Sequence, residues 1–397
     1  MPDIMNDNKI KTIAFYLPQF HAIPENDIWW GQGFTEWTNT RKAVPLFDNH
    51  YQPRVPHKEK YYNLLDEGIL EWQIKIAKEY GIYGFCYYHY WFKNGKKLLE
   101  KPIENMLNNS VNFPYCLCWA NESWTKNWDG GNREIIVEQD YGSKADWEDH
   151  FQYLLNYFKD KRYITIDGSP LLIIYKPEQI PKLNEMLDYI TYRIIQEGLP
   201  GIVYAYQYPQ WYFMANYDDS RFKYIIDFEP VFTEAYLSKI DNIHNIKKKQ
   251  KFIRFAKKII GDRLIDFIRA MKINITPNQV KKSVLRIKNF DETWKSILSR
   301  PVIDYKLIPG AFVGWDNTPR NENGIVYIGG NPQKMKNNYI ELIKKTKEEY
   351  KKNMIFINAW NEWAEGAYLE PDNEYGYKYL EAIRDALLEE GEYISMQ

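Results

Sequence analysis

Two glutamates near the end of the chain, Glu362 and Glu365, stand three positions apart in the segment Asn361-Glu362-Trp363-Ala364-Glu365-Gly366. Neighbouring carboxyl groups suit glycosidic-bond chemistry, because one gives a proton while the other takes one or attacks the sugar. On a helical turn this spacing puts the two Cβ atoms about 5–6 Å apart, close to the carboxyl separation of about 5–5.5 Å in retaining glycosidases. We predict both as catalytic residues; the alternative is two ordinary glutamates on a solvated loop.

An acid in such a pair must keep its proton near neutral pH, which requires a pKa raised to about 6–7. A neighbouring carboxylate raises the pKa by like-charge repulsion, and adjacent indoles such as Trp360 and Trp363 raise it by desolvation. The aromatic neighbours therefore favour the catalytic interpretation.

Eight short apolar runs divide the chain and predict strands that are buried on both faces. They cover residues 12–17, 82–88, 115–119, 171–175, 202–206, 224–228, 308–313 and 354–358. Segments with helical spacing lie between most of them, at residues 64–80, 147–158, 181–196, 332–350 and 375–388. This alternation predicts an α/β fold, a (β/α)8 TIM barrel. We expect one catalytic domain over residues 10–390, with a long loop at 23–56 after strand 1 and a basic helical insertion at 234–300 between strands 6 and 7.

In a TIM barrel the active site lies at the carboxyl ends of the strands. The residues there and in the loop after strand 1 are amides, carboxylates, imidazoles and aromatic rings, which suit sugar hydroxyls and the apolar faces of pyranose rings. The predicted substrate-binding residues are Gln19, His21, Glu36, Trp37, His89, Tyr90, Trp91, Trp119, Asn121, Glu122, Tyr206, Trp315, Asp316, Asn361 and Trp363. For Glu36, His21 and His89 a purely structural role is the alternative.

The composition, 45% hydrophobic and 26% charged with a formal net charge of -1, is that of a globular protein with no overall attraction to nucleic acid. We predict no cofactor, because no phosphate-binding glycine motif occurs, and no metal site, because Asp218-Asp219 matches an Asp-x-Asp motif only in outline. The three cysteines lie in apolar runs and read as buried free thiols. With no apolar signal segment near Met1, they favour a cytoplasmic location.

The insertion is strongly basic, with 15 Lys and Arg against 3 Asp and Glu between residues 239 and 288. An apolar stripe at helical spacing runs from Phe252 to Met271. A basic amphipathic helix can lie on an anionic membrane, so peripheral membrane contact through residues 240–290 is one expectation. The other is a helical subdomain that packs its stripe on the barrel and leaves its lysines solvated.

The segment 361–366 is similar to the catalytic loop of family 99 glycoside hydrolases, the endo-α-mannosidases and endo-α-mannanases. The chain resembles more closely the bacterial WbsX-like group, which is associated with surface polysaccharides and long labelled as glycosyltransferases. The resemblance extends over roughly residues 10–380. Further shared stretches are Tyr16-Leu17-Pro18-Gln19-Phe20-His21, Gly33-Phe34-Thr35-Glu36-Trp37, the run at 83–90 and Cys118-Trp119-Ala120-Asn121-Glu122.

The resemblance implies a retaining glycoside hydrolase that acts on α-linked, mannose-like sugars of a bacterial polysaccharide or glycolipid, so that an oligosaccharide or polysaccharide is the expected partner. It assigns Glu362 to the proton of the sugar's 2-hydroxyl and Glu365 to the leaving oxygen. The segment Ala367-Tyr368-Leu369-Glu370-Pro371 differs from the mannosidase pattern. Two alternatives stay open: a glycosyltransferase of O-antigen or capsule biosynthesis, and a barrel that binds glycan without catalysis.

Overall fold

The protein, seen in a computed structural model, is described over Pro2 and residues 8–125, 134–207, 209–213, 218–240 and 284–396. Within these ranges its main sheet contains nine parallel strands. They are β1 (Lys11–Tyr16), β2 (Ile82–Trp91), β3 (Tyr115–Trp119), β4 (Ser169–Ile174), β5 (Val203–Tyr206), β6 (Phe222–Ile226), β7 (Leu307–Ile308), β8 (Gly310–Phe312) and β9 (Met354–Asn358). The spatial order is β7-β6-β5-β4-β3-β2-β1-β9-β8. Nearly all of their residues are buried, as expected for strands covered on both faces.

The seventh apolar run differs from its prediction, because it forms two short strands rather than one. β7 pairs with β6 and β8 pairs with β9, so the path of strands returns on itself through Pro309, which lacks the N–H that a continuous ladder needs. At Gly310 a Cβ atom would lie 1.8 Å from the Asp227 carbonyl oxygen. Glycine is therefore required where β8 begins beside the residue that follows β6.

Helices occupy the predicted gaps between the strands. They are Pro24–Trp30, Glu36–Lys42, Ile69–Glu79, Lys101–Asn108, Lys144–Phe158, Leu183–Gln196, Pro209–Phe213, Phe290–Ser299, Pro332–Lys345 and Lys378–Glu389. Residues 231–240 are also helical. The first two lie in the long loop after β1, which is thus partly helical. Strands alternate with helices around the sheet, which confirms the predicted α/β class.

Only the two ends of the predicted basic insertion are described, since residues 241–283, with the whole apolar stripe, lie outside the described ranges. At its carboxyl end, Arg286–Asn289 is a strand that pairs in parallel with Ile325–Ile328, rather than a helix. Trp294 of the following helix stacks on Phe312 of β8, with ring centroids 5.7 Å apart. None of the helices in the described ranges is long and apolar enough to cross a membrane.

A buried ion cluster lies where β6 ends and the insertion begins. Arg300 Nη2 lies 2.7 Å from Asp227 and 2.9 Å from Glu229. The Tyr350 hydroxyl donates to Asp227, and the Thr233 hydroxyl donates to Glu229. Because Arg300 Nη1 also donates to Thr233 at 2.6 Å, the cluster joins the chain before the insertion to the chain after it.

Candidate active site

The segment that carries the two glutamates is attached to the end of β1 by one amide. The Asn361 side chain accepts a hydrogen bond from the Leu17 N–H at 2.8 Å and donates one to the Leu17 carbonyl at 3.0 Å. Asn361–Glu362 pairs with Ala367–Tyr368 as a short antiparallel ladder. Between them Trp363–Glu365 forms one 3-10 turn. The glutamates therefore lie on a turn, the condition on which the expected short separation depends.

This turn ends at Gly366, whose φ of 59° is in the left-handed region. A Cβ atom at Gly366 would lie 2.9 Å from Asp316 Cβ and 3.0 Å from Asp316 N. The Asp316 N–H donates to the Glu365 carbonyl at 2.6 Å. Glycine thus permits both the backbone conformation and the close contact between the loops that follow β9 and β8.

A second buried carboxyl group, Glu370, supports the turn from the side of its indole. Glu370 accepts hydrogen bonds from Trp363 Nε1 at 2.7 Å, Gln73 Nε2 at 2.7 Å and the Tyr62 hydroxyl at 2.8 Å. Burial raises the pKa of Glu370 to about 7, against the effect of these donors. The Trp363 ring also stacks on Tyr368, with centroids 3.8 Å apart, so the turn is fixed by packing on both sides.

A cavity of about 420 Å³ lies at the carboxyl ends of the strands and is lined by both glutamates. Its volume is in the range of small-molecule sites. Four predicted substrate-binding residues line it as well: Gln19, Tyr90, Glu122 and Trp315. Other lining residues include Tyr88, Trp124, Tyr175, Phe228 and Arg320. The structure therefore brings the predicted pair together with carboxyl, amide and aromatic groups, although their roles stay predictions.

Arg320, which the sequence analysis does not select, contacts three glutamates in this cavity. Its Nη1 pairs with Glu365, and its Nη2 lies 3.0 Å from Glu36 and 3.5 Å from Glu362. Glu36, on the second helix of the long loop after β1, is fully buried. It does not line the cavity but meets the guanidinium. The sequence signal for Arg320 is weak: it lies in the turn-rich stretch after the seventh apolar run.

Burial shifts the pKa values of the ionisable groups in this cluster. Burial raises the pKa of Glu362 well above its ordinary value, and the charge of Glu365 raises it further, while Arg320 lowers it. Burial also raises the pKa of Glu36, again opposed by Arg320. The pKa of Tyr90 is raised first by burial and then by Glu362, so its hydroxyl stays protonated as a potential donor to a ligand.

Asp316, a predicted substrate-binding residue, is fully buried and holds the loop that carries Arg320. It accepts hydrogen bonds from His50 Nε2 at 2.8 Å, Gln52 Nε2 at 2.7 Å and the Thr318 hydroxyl at 2.6 Å. Burial alone would raise the pKa of Asp316, but His50, Arg54 and the other donors lower it to about 2. The carboxylate oxygens of Asp316 therefore bond to other protein groups rather than facing the cavity.

Two predicted tryptophans pack beneath the glutamate turn. Trp37 is 5% exposed and Trp363 1% exposed, and their ring centroids are 5.4 Å apart. Trp37 Nε1 donates to the Tyr62 carbonyl at 2.8 Å. Neither ring lines the cavity, because both fill the space between the turn and the loop after β1.

Other predicted residues form a separate aromatic cluster. His89 is fully buried, and its Nε2 lies 2.9 Å from His150 Nε2. Burial lowers the pKa of His89 to about 3. Trp91 stacks on His150 at 4.7 Å and Trp119 meets it edge-on at 4.6 Å. With His150, these two tryptophans line a smaller cavity of about 130 Å³.

Three more predicted residues are buried away from the cavity surface. His21 Nδ1 lies 3.1 Å from the Pro18 carbonyl, and burial lowers the pKa of His21 to about 4. The Asn121 side chain donates to the Lys176 carbonyl and accepts from the Lys176 N–H, both at 2.8 Å. Tyr206 is 0% exposed.

Among the described residues, no group of three or more His, Cys, Asp and Glu side chains could hold a metal ion.

Comparison with known proteins identifies one matching family and two curated relatives. A family profile described as Glycosyltransferase WbsX matches residues 12–383. Two curated relatives from strains of Xanthomonas campestris pv. campestris, both named uncharacterized protein WxcX, are 34% and 33% identical over 383 residues, 94% of this chain. The chain spans about half the length of these relatives, 49% of each.

Two solved structures share the fold. The GH99 endo-alpha-mannosidase from Bacteroides thetaiotaomicron matches with a TM-score of 0.51 and 13% identity, covering 96% of this chain and 97% of that chain. A protein described as glycoside hydrolase-like matches with a TM-score of 0.51 and 12% identity, covering 97% of this chain and 96% of that chain. At these identities the likeness shows the fold alone, and it confirms the predicted TIM barrel.

Proposed function

This chain belongs to the family described as Glycosyltransferase WbsX, and we propose that it is a carbohydrate-active enzyme. Its proposed reaction is the hydrolysis, with retention of configuration, of α-linked, mannose-like sugars in a bacterial polysaccharide or glycolipid. One observation carries this proposal: Glu362 and Glu365 share a single guanidinium, that of Arg320, in a cavity at the carboxyl ends of the barrel strands.

The roles of the pair follow the resemblance to the family 99 glycoside hydrolases. Glu362 takes the proton of the 2-hydroxyl, and O2 bonds to C1 as the bond from C1 to the leaving oxygen breaks. Glu365 gives that oxygen its proton. The 1,2-anhydro sugar is then opened at C1 by a water that Glu365 deprotonates, while Glu362 returns its proton to O2. Two displacements at C1 give retention without a covalent enzyme intermediate, unlike the common retaining scheme.

The surroundings of the pair support these roles. A general base is most effective when its pKa lies near the working pH, and burial raises the pKa of Glu362 well above the ordinary value of a glutamate. Trp315, which lines the cavity, offers an indole for the apolar face of a sugar. Gln19, Tyr90 and Glu122 supply polar groups for its hydroxyls.

A panel of α-linked, mannose-containing oligosaccharides tests the proposal. We expect the wild-type protein to release shorter glycans, and Glu362→Gln and Glu365→Gln to retain the fold by circular dichroism but lose turnover. Proton NMR early in the reaction should show a product with the anomeric configuration of the substrate. An inverted product would contradict retention, and full activity in either variant would remove that residue from the mechanism.

Transfer to a sugar acceptor is the second candidate, favoured by the description of the matching family. It requires a nucleotide-sugar or lipid-linked donor, and a labelled acceptor would then grow by one sugar only when that donor is present. A non-catalytic glycan-binding barrel is the third. In that case both Gln variants would bind and behave as the wild type does.

The location of the protein and its membrane contact are proposals too. Cys86, Cys116 and Cys118 are buried free thiols, which supports work in the reducing cytoplasm. Membrane contact through residues 240–290 stays a prediction, because residues 241–283 lie outside the described ranges. Co-sedimentation with anionic liposomes, compared between the full chain and a variant lacking residues 240–290, tests it. Equal sedimentation would contradict it.

A further inference from the structure

Among the described residues, three carboxyl groups of the proposed active site contact one positively charged side chain. Arg320 pairs with Glu365 through Nη1, while Nη2 lies 3.0 Å from Glu36 and 3.5 Å from Glu362. Glu36 is 0% exposed and Glu362 7% exposed. Unpaired charge is strongly unfavourable in such surroundings, and a buried carboxyl group without a counter-ion takes up a proton instead. One guanidinium cannot compensate three ionised glutamates, so at least one of them is protonated.

Geometry identifies which of the catalytic pair is protonated. Glu365 is in direct contact with the guanidinium, whereas Glu362 has the longest of the three separations. Among the described residues Glu362 Oε2 accepts no hydrogen bond of good geometry. Burial and the charge of Glu365 both act to keep the proton on Glu362.

We propose that Arg320 is a positioning residue that pairs with Glu365 and Glu36 and leaves the proton of the pair on Glu362 when no substrate is bound. Glu36 acts as a counter-ion that takes up part of the positive charge of Arg320. The catalytic meaning of this assignment rests on the proposed function, but the assignment itself concerns the substrate-free protein.

Among the described residues, the ionisable groups that face Glu362 come from its own turn, the loop after β8, the second helix of the loop after β1, and β2. They are Glu365, Arg320, Glu36, Tyr88 and Tyr90. The tyrosines are neutral, because burial raises the pKa of each. On another part of the cavity wall Glu122 pairs with Lys176. Thus Glu36 and Glu365 favour the protonated form of Glu362, and Arg320 alone among the described residues favours its carboxylate.

Under the proposed roles, Glu365 must carry the proton that the leaving oxygen receives, so in the reactive form the proton of the pair has passed from Glu362 to Glu365. Activity therefore falls with rising pH as Glu362 ionises, because the pair then has no proton to give. Glu36→Gln removes a negative charge, so this fall should move to lower pH by about one unit. Arg320→Gln removes the positive charge and should move it to higher pH, with partial restoration in Arg320→Lys. Structural damage alone would not shift the profile in opposite directions.

Thermal unfolding between pH 4 and 8 tests, without any substrate, whether Glu362 carries the proton of the pair. A carboxyl group whose pKa is raised by folding keeps its proton in the folded protein while the unfolded chain releases it, so stability falls as pH rises above the ordinary pKa. Glu362→Gln should match the wild-type Tm near pH 4 and exceed it by roughly 1–4 °C near pH 7.5. In a Glu36→Gln background this gap should shrink.

Arg300→Lys is the matched control, because Arg300 is another buried arginine with two carboxylate partners. It should leave the effect of Glu362→Gln unchanged. A gap that widens toward low pH, or one that Glu36→Gln does not alter, would overturn the proposal. If no glycan is hydrolysed but the gap behaves as expected, the proposed function fails while the assignment of the proton stands.

Discussion

Two buried arginines in this barrel contact acidic groups, but only one of the two clusters opens onto a cavity. Arg300 joins Asp227 and Glu229 where β6 ends, and hydroxyl groups from Tyr350 and Thr233 donate to the same carboxylates. All three charged side chains are at most 3% exposed. This cluster is surrounded by protein and connects separate parts of the chain.

The Arg320 cluster has a similar composition but a different environment. Arg320 is 13% exposed and Glu365 21% exposed, and both line the cavity with Glu362. Among the described residues, Glu362 Oε2, which belongs to a cavity-lining residue, accepts no hydrogen bond of good geometry. Part of the bonding capacity of this cluster is therefore available to a ligand.

A raised pKa does not distinguish the two clusters. Burial, partly offset by Arg300, raises the pKa of Glu229 to about 7, and burial also raises the pKa of Glu362. Perturbed pKa values accompany structural ion pairs as well as active sites. The Arg300 and Arg320 clusters differ instead in their access to a cavity and in whether neutral groups donate hydrogen bonds to their carboxylates.

The largest expected effect separates the clusters by activity. Glu365→Gln should lower turnover by about 10²- to 10⁴-fold, because it removes the group that transfers a proton in the proposed reaction. Glu229→Gln, in the enclosed cluster, should change turnover per folded molecule by less than about tenfold. Steady-state rates on the best substrate of the panel measure both, and equal losses would contradict the distinction between the two clusters.

Stability should separate them in the opposite direction. Arg300→Met leaves two buried carboxyl groups without their cation and should lower the free energy of unfolding by about 3–5 kcal/mol. Arg320→Met should cost less, about 1–3 kcal/mol, because Glu365 is partly exposed to water. Urea denaturation followed by fluorescence gives both values; a larger loss for Arg320→Met would contradict the comparison.

Asp316 tests how far the Arg320 cluster depends on the loop that carries it. Hydrogen bonds and Arg54 lower the pKa of Asp316 to about 2, so its ionised form stabilises the fold at neutral pH. Asp316→Asn should reduce the free energy of unfolding by about 2 kcal/mol at pH 7. The difference should disappear as the pH falls from about 4 to 2, since the folded protein then takes up the proton. A difference that persists at pH 2 would refute this account.

The smallest expected effect concerns the turn between the glutamates and Asp316. Gly366→Ala places a Cβ atom 2.9 Å from Asp316 Cβ on a backbone with φ of 59° and should cost about 1–2 kcal/mol. Because the turn positions Glu365, turnover should also fall. Gly391→Ala, at a similar positive φ but with no atom within 4 Å of the added Cβ, is the control. It should lose stability but keep turnover.

Much of the barrel follows from local patterns in the sequence. The apolar runs predict the strands, because strands buried on both faces need continuous apolar side chains. The glutamate pair is visible because its spacing and its tryptophan neighbours are local as well. The division of the seventh run at Pro309 is consistent with the missing N–H of proline, although the run was predicted as one strand.

Contacts between distant segments are not visible in the same way. Glu36 and Arg320 are 284 positions apart in sequence and meet only because the loops after β1 and β8 converge on the turn after β9. Trp37 and Trp363 were predicted to face a sugar, and instead they pack on each other beneath the turn. An indole suits a protein core as well as a sugar face, and only the three-dimensional arrangement decides between the two.

The bond between Thr233 and Arg300 has a consequence for how this protein can change. Because Arg300 Nη1 donates to Thr233 at 2.6 Å, the chain just before the insertion is joined to the last residue of the insertion. The part between residues 240 and 284 can then lengthen, shorten or be exchanged for another sequence while Thr233 and Arg300 stay fixed, since loop closure depends only weakly on loop length. The barrel thus provides fixed attachment points at which different accessory segments can be inserted during evolution or by design, while the cavity with Glu362 and Glu365 is left intact.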